Sequence, residues 1–325
     1  SCAAGGFIRG DLSTSEKTAL TIVVFFMLIG LGSKVGMYPL HGWLPKAHPV
    51  APAPASALLS GNITKMGILF IIRVVFFSIG PKFLQGSWAQ YALLGLALLT
   101  VFLGSMLAFR EKVFKKRLAY STVSQTSYVL VGIYLLAPIA AVGAFLHIIF
   151  HSITKNLLFL CAGAIIYRTG RTKVAEMKGV GLIMPITMIS FTLGGLALVG
   201  IPPFSGFVSK WYLASGALEA DVGPVRYIAP VILIISALLT AGYLITMSSD
   251  AFFVVDPEHD EKENGEEKEP AEEVATFREG DEEKKEASLF MLIPLVILAA
   301  GTLFFGLFPS LLTGWVGDIL SGVFL

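Results

Sequence analysis

The sequence predicts an all-α polytopic membrane protein with about eight transmembrane helices, two of them broken. Hydrophobic residues make up 55% of the 325 residues and charged residues only 14%, against about 25% charged residues in soluble domains. Mean hydropathy is +0.76. The apolar residues fall in runs of about 20, the length at which a helix crosses the hydrocarbon core of a bilayer.

The apolar runs define the spans in chain order. The first span ends irregularly at residues 36–39. The sixth is too long for one straight helix and contains Pro202 and Pro203, which lack the backbone N–H that a helix needs, so it is read as two half-helices, 182–200 and 204–218. The predicted spans are 18–38, 54–77, 89–109, 118–136, 139–167, 182–218, 226–254 and 287–308.

Two short basic loops, 110–117 and 167–173, follow the third and fifth spans, so both lie on the same side of the membrane. The positive-inside rule makes that side cytoplasmic, which places both termini outside. Of the 23 acidic residues, 15 fall between Asp256 and Glu286, in a loop that is then cytoplasmic. This loop is too polar to fold alone and reads as a solvated linker, with docking to a basic soluble partner as the alternative. The predicted regions are an N-terminal segment 1–17, a transmembrane bundle 18–254, the acidic loop 255–287, and a last helix with an amphipathic tail 288–325.

Four lysines lie within the apolar spans: Lys34, Lys65, Lys155 and Lys210. A charged side chain at membrane depth costs roughly 2.5–3.5 kcal/mol on insertion scales, so each is a candidate functional residue. The spans contain no comparable carboxylate at their centres. Such buried lysines are typical of a protein that moves ions, but the spans lack a carboxylate partner for them.

His147, His151 and Lys155 are spaced i, i+4 and i+8, which stacks them on one helical face. Histidine suits proton relay because both of its protonation states are accessible near neutral pH. The alternative is a polar packing stripe. The start of the fourth span is also polar, and its side chains are interpreted as holding water or, alternatively, as structural hydrogen bonds to the fifth span. Its residues are Ser121, Thr122, Ser124, Gln125, Thr126 and Ser127.

Lys34, Lys65 and Lys210 are interpreted from their positions in the predicted spans. Lys34 precedes the first helix break, at the carbonyl end of a half-helix, whereas Lys210 follows the second break, near an amide end. A structural salt bridge is the alternative for both. Lys65 is predicted to hand protons between Lys34 and Lys155, with charge balance for a carboxylate on a neighbouring chain as the alternative.

Three further residues are candidates for a pathway mouth. His41 and His48 lie in the connection between the first two spans, and Asp250 lies near the cytoplasmic end of the seventh. For the two histidines, ordinary loop and cap contacts are the alternative.

Five ordered motifs extend over about 175 residues. Together they closely resemble the antiporter-like, proton-translocating membrane subunits of respiratory complex I, a family that includes Mrp-type cation/proton antiporters and the membrane arms of related hydrogenases and sulfur reductases. The motifs are Gly-Ser-Lys-Val-Gly-Met-Tyr-Pro-Leu-His-Gly-Trp-Leu-Pro-Lys-Ala-His (32–48), Ala-Pro-Ala-Pro-Ala-Ser-Ala-Leu-Leu-Ser-Gly (51–61), Lys-Arg-Leu-Ala-Tyr-Ser-Thr-Val-Ser-Gln (116–125), His-Ile-Ile-Phe-His-Ser-Ile-Thr-Lys-Asn-Leu-Leu-Phe-Leu (147–160) and Gly-Ile-Pro-Pro-Phe-Ser-Gly-Phe (200–207).

The family pattern has fourteen core helices, including two inverted five-helix repeats, and this chain resembles helices seven to fourteen only. The resemblance implies half to two-thirds of an inverted-repeat bundle, with the four lysines as the rear part of a proton axis. The family glutamate that pairs with the lysine at Lys34 lies on the fifth helix, which has no counterpart here. A partner chain is therefore expected to supply the first helices and a membrane glutamate.

The resemblance implies a subunit of a redox-driven complex in the cytoplasmic membrane that moves protons, with sodium as the alternative ion. A Mrp-type Na⁺/H⁺ antiporter subunit and a non-conducting spacer are the alternatives. Cys2 and Cys161 form no metal or redox motif, so no cofactor and no catalytic site are expected in this chain. Iron–sulfur clusters and a metallocentre are expected in partner subunits. Lipids are the other expected contacts, and nucleic acid is not expected.

Overall fold

The structure, a computed structural model, describes residues 12–253 and 286–324, with side chains to residue 322. Every regular element in those ranges is helical, apart from one isolated β-bridge. The principal helices are α1 (Thr14–Val35), α2 (Trp43–Val50), α3 (Ala53–Ile79), α4 (Trp88–Arg110), α5 (Phe114–Tyr134), α6 (Pro138–Thr169), α7 (Pro185–Val199), α8 (Ser205–Glu219), α9 (Val225–Phe252), α10 (Leu289–Leu307) and α11 (Ser310–Phe324).

Six of these helices are long and apolar enough to cross a membrane, namely α1, α3, α4, α6, α9 and α10. The fourth and sixth predicted spans are also helical. α5 has 21 residues and is rich in polar side chains. It lies inside the bundle, where every residue from Ser121 to Tyr134 is buried. The sixth span is the pair α7 and α8, of 15 residues each. The predicted all-α membrane architecture is confirmed.

Local sequence signals explain the helix ends. Ser13 and Glu16 form a capping box at the start of α1, and Gly36 ends that helix in the left-handed conformation with φ 94°. α6 begins at Pro138, the favoured position for proline, and its 32 residues span about 48 Å, more than the hydrocarbon core requires.

The sixth span is broken where predicted. α7 ends at Gly200, which has φ 88°, and α8 begins after the two prolines, at Ser205. The backbone of Gly206 passes so close to the Ala197 carbonyl that a Cβ atom there would overlap it. Glycine at this position therefore lets the first turn of α8 pack against the last turn of α7.

α3 departs from the straight helix that its apolar run predicts. It contains two π-helical segments, Leu59–Ile63 and Arg73–Ile79. In the first, the Thr64 N–H bonds to the Leu59 carbonyl, five residues back. Such π-turns cluster at functional sites because they release a carbonyl from the regular i→i−4 ladder.

α5 is bound to its neighbours by hydroxyl groups. Ser124 bonds to Ser105 of α4 at 2.8 Å and to Ser236 of α9 at 3.2 Å, and all three side chains are fully buried. Gly104 permits this contact, because a Cβ atom there would lie 2.8 Å from the Ser124 nitrogen. Ser124 therefore bonds α5 to α4 and α9, the third and seventh predicted spans, and not to the fifth.

The two basic loops pair with each other at one end of the bundle. The Phe114 N–H donates to the Thr172 carbonyl at 2.9 Å, and the Val174 N–H donates to the Lys112 carbonyl at 2.8 Å, on either side of the Val113–Lys173 bridge. The prediction that both loops lie on one side is confirmed. The assignment of that side to the cytoplasm stays a prediction.

Most of the predicted acidic loop lies outside the described residues, as does most of the predicted segment 1–17. At the loop's end, the Glu286 carboxylate accepts hydrogen bonds from the Ile186 N–H at 2.8 Å and the Thr187 hydroxyl at 2.6 Å. It thereby caps the start of α7, whose own N-cap residue makes no side-chain bond.

The tail forms α11 and packs on α6 of the same chain, with Val316 and Leu320 buried. One face of this helix therefore reaches the core of the chain, while Leu311, Trp315 and Ile319 stay exposed.

Candidate functional site

Lys155 lies at the centre of the site, in α6, and is fully buried. Its Nζ atom donates to the Leu118 carbonyl at 3.0 Å and to the Ser121 hydroxyl, both in α5. The Ser121 and Thr122 hydroxyls donate to the same carbonyl. A buried ammonium needs such acceptors, because an unpaired buried charge is very costly. The polar start of the fourth span therefore supplies the lysine's acceptors.

Lys65 is buried in α3 and shows what the π-turn does locally. Because the Thr64 N–H bonds to Leu59, the Ser60 carbonyl instead accepts from the Thr64 hydroxyl at 3.0 Å and from the Lys65 Nζ atom. The same Nζ atom lies 2.7 Å from His151 Nδ1 of α6. The structure thus pairs Lys65 with a histidine, a contact that the spacing in the sequence did not predict.

The two histidines continue the row along α6. Their rings stack with centroids 5.9 Å apart, and His147 Nδ1 bonds to the Ser209 hydroxyl of α8 at 2.9 Å. The Nε2 atoms of His147 and His151 are buried and have no hydrogen-bond partner among the described residues. Tyr128 of α5 stacks on His147 at 5.6 Å.

The Lys210 ammonium lies at a different helix end from the one that the sequence predicted. Its Nζ atom donates to the carbonyls of Leu198 at 2.7 Å and Val199 at 2.9 Å, and it lies 5.0 Å from the Tyr128 ring centroid. The ammonium is therefore at the carbonyl end of α7, and the predicted amide-end environment is wrong. The reason is that the long side chain extends from α8 back across the helix break.

Lys34 is separated from this row. Its side chain is exposed on the outer surface of the chain, at the last turn of α1 beside Gly67 of α3. Within residues 12–253 and 286–324, no hydrogen bond or carboxylate partner joins it to Lys65 or any other side chain. The structure therefore brings together three of the four lysines with both histidines and leaves Lys34 facing outward.

The three candidate mouth residues have different environments. Asp250 is exposed near the basic loops, where its backbone carbonyl accepts from the Gly179 N–H at 3.3 Å. His41 is half-buried beside Tyr38. His48 is fully buried, so it does not line an opening in this conformation.

Three residues that contact the row were not singled out from the sequence. The Ser60 carbonyl contacts Lys65, Tyr128 contacts both His147 and Lys210, and the Ser209 hydroxyl contacts His147. Their side chains are common in membrane helices, and only the packing of the helices shows their importance. Among the described residues no group of three or more histidine, cysteine, aspartate or glutamate side chains could hold a metal ion.

The fold and the site thus define a class: a multi-pass membrane protein with a buried row of lysines and histidines inside a helical bundle. Residues 8–252 match the family described as NADH:quinone oxidoreductase/Mrp antiporter, TM, and the chain belongs to this family. The resemblance drawn from the five motifs is confirmed.

Relatives and solved structures agree. The chain is 31% identical over 296 residues to NADH-quinone oxidoreductase subunit N of Desulforudis audaxviator (strain MP104C), covering 90% of this chain and 56% of that protein. It is 38% identical over 213 residues to hydrogenase-4 component B of Escherichia coli (strain K12), covering 62% of this chain and 31% of that protein. A structure of the Mrp complex from Dietzia sp. DQ12-45-1b superposes with a TM-score of 0.81 at 26% identity, over 95% of this chain and 60% of the matched chain. The chain therefore spans only about a third to 60% of the proteins it resembles.

Proposed function

We propose that this chain is a proton-translocating membrane subunit of a redox-driven, complex-I-like complex of the hydrogenase or sulfur-reductase type. Protons move along the row Lys155, Lys65, His151, His147 and Lys210. The observation that carries this proposal is the contact of 2.7 Å between Lys65 Nζ and His151 Nδ1, deep within the bundle. Its support is physical, because two basic nitrogens at that distance share one proton.

The shared proton gives the row its chemistry. Either the Lys65 ammonium donates to a bare His151 Nδ1, or the protonated Nδ1 donates to a neutral amine. A second proton between the two nitrogens would make two N–H groups point at each other, which is unfavourable. A proton that arrives on Lys65 or on His151 therefore drives the shared proton on to the next residue of the row, and this transfer is a proton relay.

The acceptors around the lysines fit the same role. Lys65, Lys155 and Lys210 bond to carbonyls, hydroxyls and an imidazole, all of them neutral acceptors. In the part of the chain that the structure describes, none of the three has a carboxylate partner. Without a fixed counter-charge, a lysine can lose and regain its proton without leaving an unpaired carboxylate behind.

The exposed Lys34 lies on a surface of the chain that is suited to contact with other membrane helices. Around it, α1 and α3 present large apolar side chains outward, which lipids or a second membrane chain would cover. They include Ile22, Val23, Phe26, Met66, Leu69 and Phe70. We propose that a membrane glutamate outside the described residues pairs with Lys34 across this surface. Iron–sulfur clusters and the metallocentre belong to other subunits of the same complex.

We further propose that the complex lies in the cytoplasmic membrane, with the paired basic loops and the acidic loop on the cytoplasmic side. His41, His48 and Asp250 then lie toward the side from which protons are taken up. All three remain candidates for that part of the path.

A Mrp-type Na⁺/H⁺ antiporter subunit is the second candidate, favoured by the TM-score of 0.81 to the Mrp complex structure. Sodium dependence of proton flux without any electron donor would select this alternative. A non-conducting spacer is disfavoured, because an apolar side chain at Lys155 would serve a spacer at lower desolvation cost.

The test uses the parent complex in inverted native membrane vesicles. Lys155→Ala and Lys210→Ala are each expected to abolish proton uptake coupled to turnover while leaving assembly and redox turnover in place. Lys116→Ala is the matched control, since this loop lysine pairs with Glu111 at 2.8 Å outside the row. Unchanged proton uptake in both row variants would reject the proposal.

A further inference from the structure

His48 is a buried histidine outside the row of lysines and histidines. It lies in α2 and is fully buried, while Val50, two residues on, is 87% exposed. The same short helix thus carries one buried and one exposed side chain two residues apart. Neither of its ring nitrogens has a hydrogen-bond partner among the described residues. A buried polar atom without a partner is costly, so this imidazole needs a water molecule or a group that exchanges protons with it.

Phe159 lies between this histidine and the row. Its ring stacks on the His48 imidazole, with centroids 4.6 Å apart and planes within 13°. The Lys155 Nζ atom lies 5.9 Å from the centroid of the same ring. Phe159 is fully buried and follows Lys155 by one turn of α6, so one aromatic side chain contacts both basic groups.

Burial, and then the positive charges of Lys155 and Lys115, lower the pKa of His48 to about 3. Lys115 belongs to the basic loop and donates to the Ala51 carbonyl just after α2. α2 itself packs on α5, the helix that carries the acceptors of Lys155. The sequence of groups from the loop end inward is therefore Lys115, His48, the Phe159 ring and Lys155.

We infer that His48 exchanges protons with Lys155 and that Phe159 is the barrier between them, an inference that rests on the proposed function. In the transfer, one N–H bond of the His48 imidazolium breaks and one N–H bond forms on the neutral Lys155 amine. The positive charge moves with the proton. The ring excludes water from the gap, so the transfer requires Phe159 to move or water to enter beside it.

The variants are chosen to separate a barrier from ordinary packing. Phe159→Ala opens the gap, and Phe159→Leu keeps most of the apolar volume if the alanine variant assembles poorly. Phe150→Ala is the matched control, because Phe150 is also buried in α6 but packs against Phe305 of α10. His48→Phe keeps an aromatic ring stacked on Phe159 and removes both nitrogens.

The experiment measures passive proton leak into liposomes containing the parent complex, driven by a potassium diffusion potential set with valinomycin. Phe159→Ala is expected to raise the leak at least fivefold, Phe159→Leu to raise it less, and Phe150→Ala to leave it unchanged. Adding His48→Phe to Phe159→Ala is expected to return the leak to the parent value. Equal leaks in Phe159→Ala and Phe150→Ala, or a leak that survives His48→Phe, would overturn the inference.

Turnover-coupled uptake separates this inference from the proposed function. His48→Phe alone is expected to lower coupled uptake at least tenfold. If Lys155→Ala abolishes uptake but neither His48→Phe nor Phe159→Ala has its expected effect, the inference fails and the proposed function stands. If Lys155→Ala leaves uptake unchanged, the proposed function itself fails.

Discussion

The contact between Lys65 and His151 gives the most direct prediction. His151→Phe keeps an aromatic ring next to His147, whose ring lies 5.9 Å away, but removes the Nδ1 atom that lies 2.7 Å from Lys65 Nζ. Lys65 then retains the Ser60 carbonyl as its hydrogen-bond partner. A hydrogen bond to a charged group contributes about 1.5–3 kcal/mol net. If that loss falls on the proton-transfer barrier, coupled uptake slows roughly 10- to 150-fold, at about 1.36 kcal/mol per factor of ten.

The assay is turnover-coupled proton uptake in inverted vesicles, followed with a pH-sensitive dye and normalised to the amount of assembled complex. Thr302→Val is the control, because Thr302 is buried in α10 and, among the described residues, its hydroxyl bonds only to the Ala299 carbonyl of its own helix. The control is expected to keep its uptake rate. A His151→Phe rate within twofold of the parent would refute the idea that this contact carries protons.

Three further predictions concern the frame around the site. Glu286→Ala removes the cap on the first turn of α7 and is expected to cost about 1–2 kcal/mol locally, seen as roughly 5- to 30-fold faster hydrogen exchange of the Ile186 amide. Gly206→Ala is expected to disrupt the packing of α8 on α7 at a cost of about 1–3 kcal/mol or more, detected as lower assembly yield, and wild-type yield would contradict the close approach. The backbone N–H of Lys173 lowers the pKa of Glu176 below its ordinary 4.5, so the ionised carboxylate stabilises the loop above pH 4.5. This contribution to stability disappears as the pH falls through the lowered folded-state pKa. Protection of the loop amides from hydrogen exchange is therefore expected to fall with acid, and Glu176→Gln is expected to remove that pH dependence.

Features set by local chemistry were predictable from the sequence. The break after Gly200 follows from two adjacent prolines, whose missing N–H groups interrupt the hydrogen-bond ladder within a long apolar run. The shared side of the two basic loops follows from counting spans. The stacking of His147 and His151 follows from the helical period.

Features set by packing between distant segments were not predictable. Lys65 and His151 are 86 residues apart, and only the packing of α3 on α6 brings them together. The π-turn that frees the Ser60 carbonyl changes the hydrogen-bond register without changing the apolar pattern. Lys210 was assigned to the wrong helix dipole because its position on α8 does not reveal where its flexible side chain ends.

The pairing of the basic loops has a mechanical consequence. α5 and α6 are connected covalently at one end by the short turn after Tyr134, and at the other end the Val113–Lys173 bridge fastens the start of α5 to the segment after α6. The hairpin is thus tied at both ends, and hydroxyl bonds to α4 and α9 hold it further. Lys155 and its Leu118 acceptor lie on opposite arms of this hairpin, so the two ties that join the arms also keep the lysine beside that carbonyl.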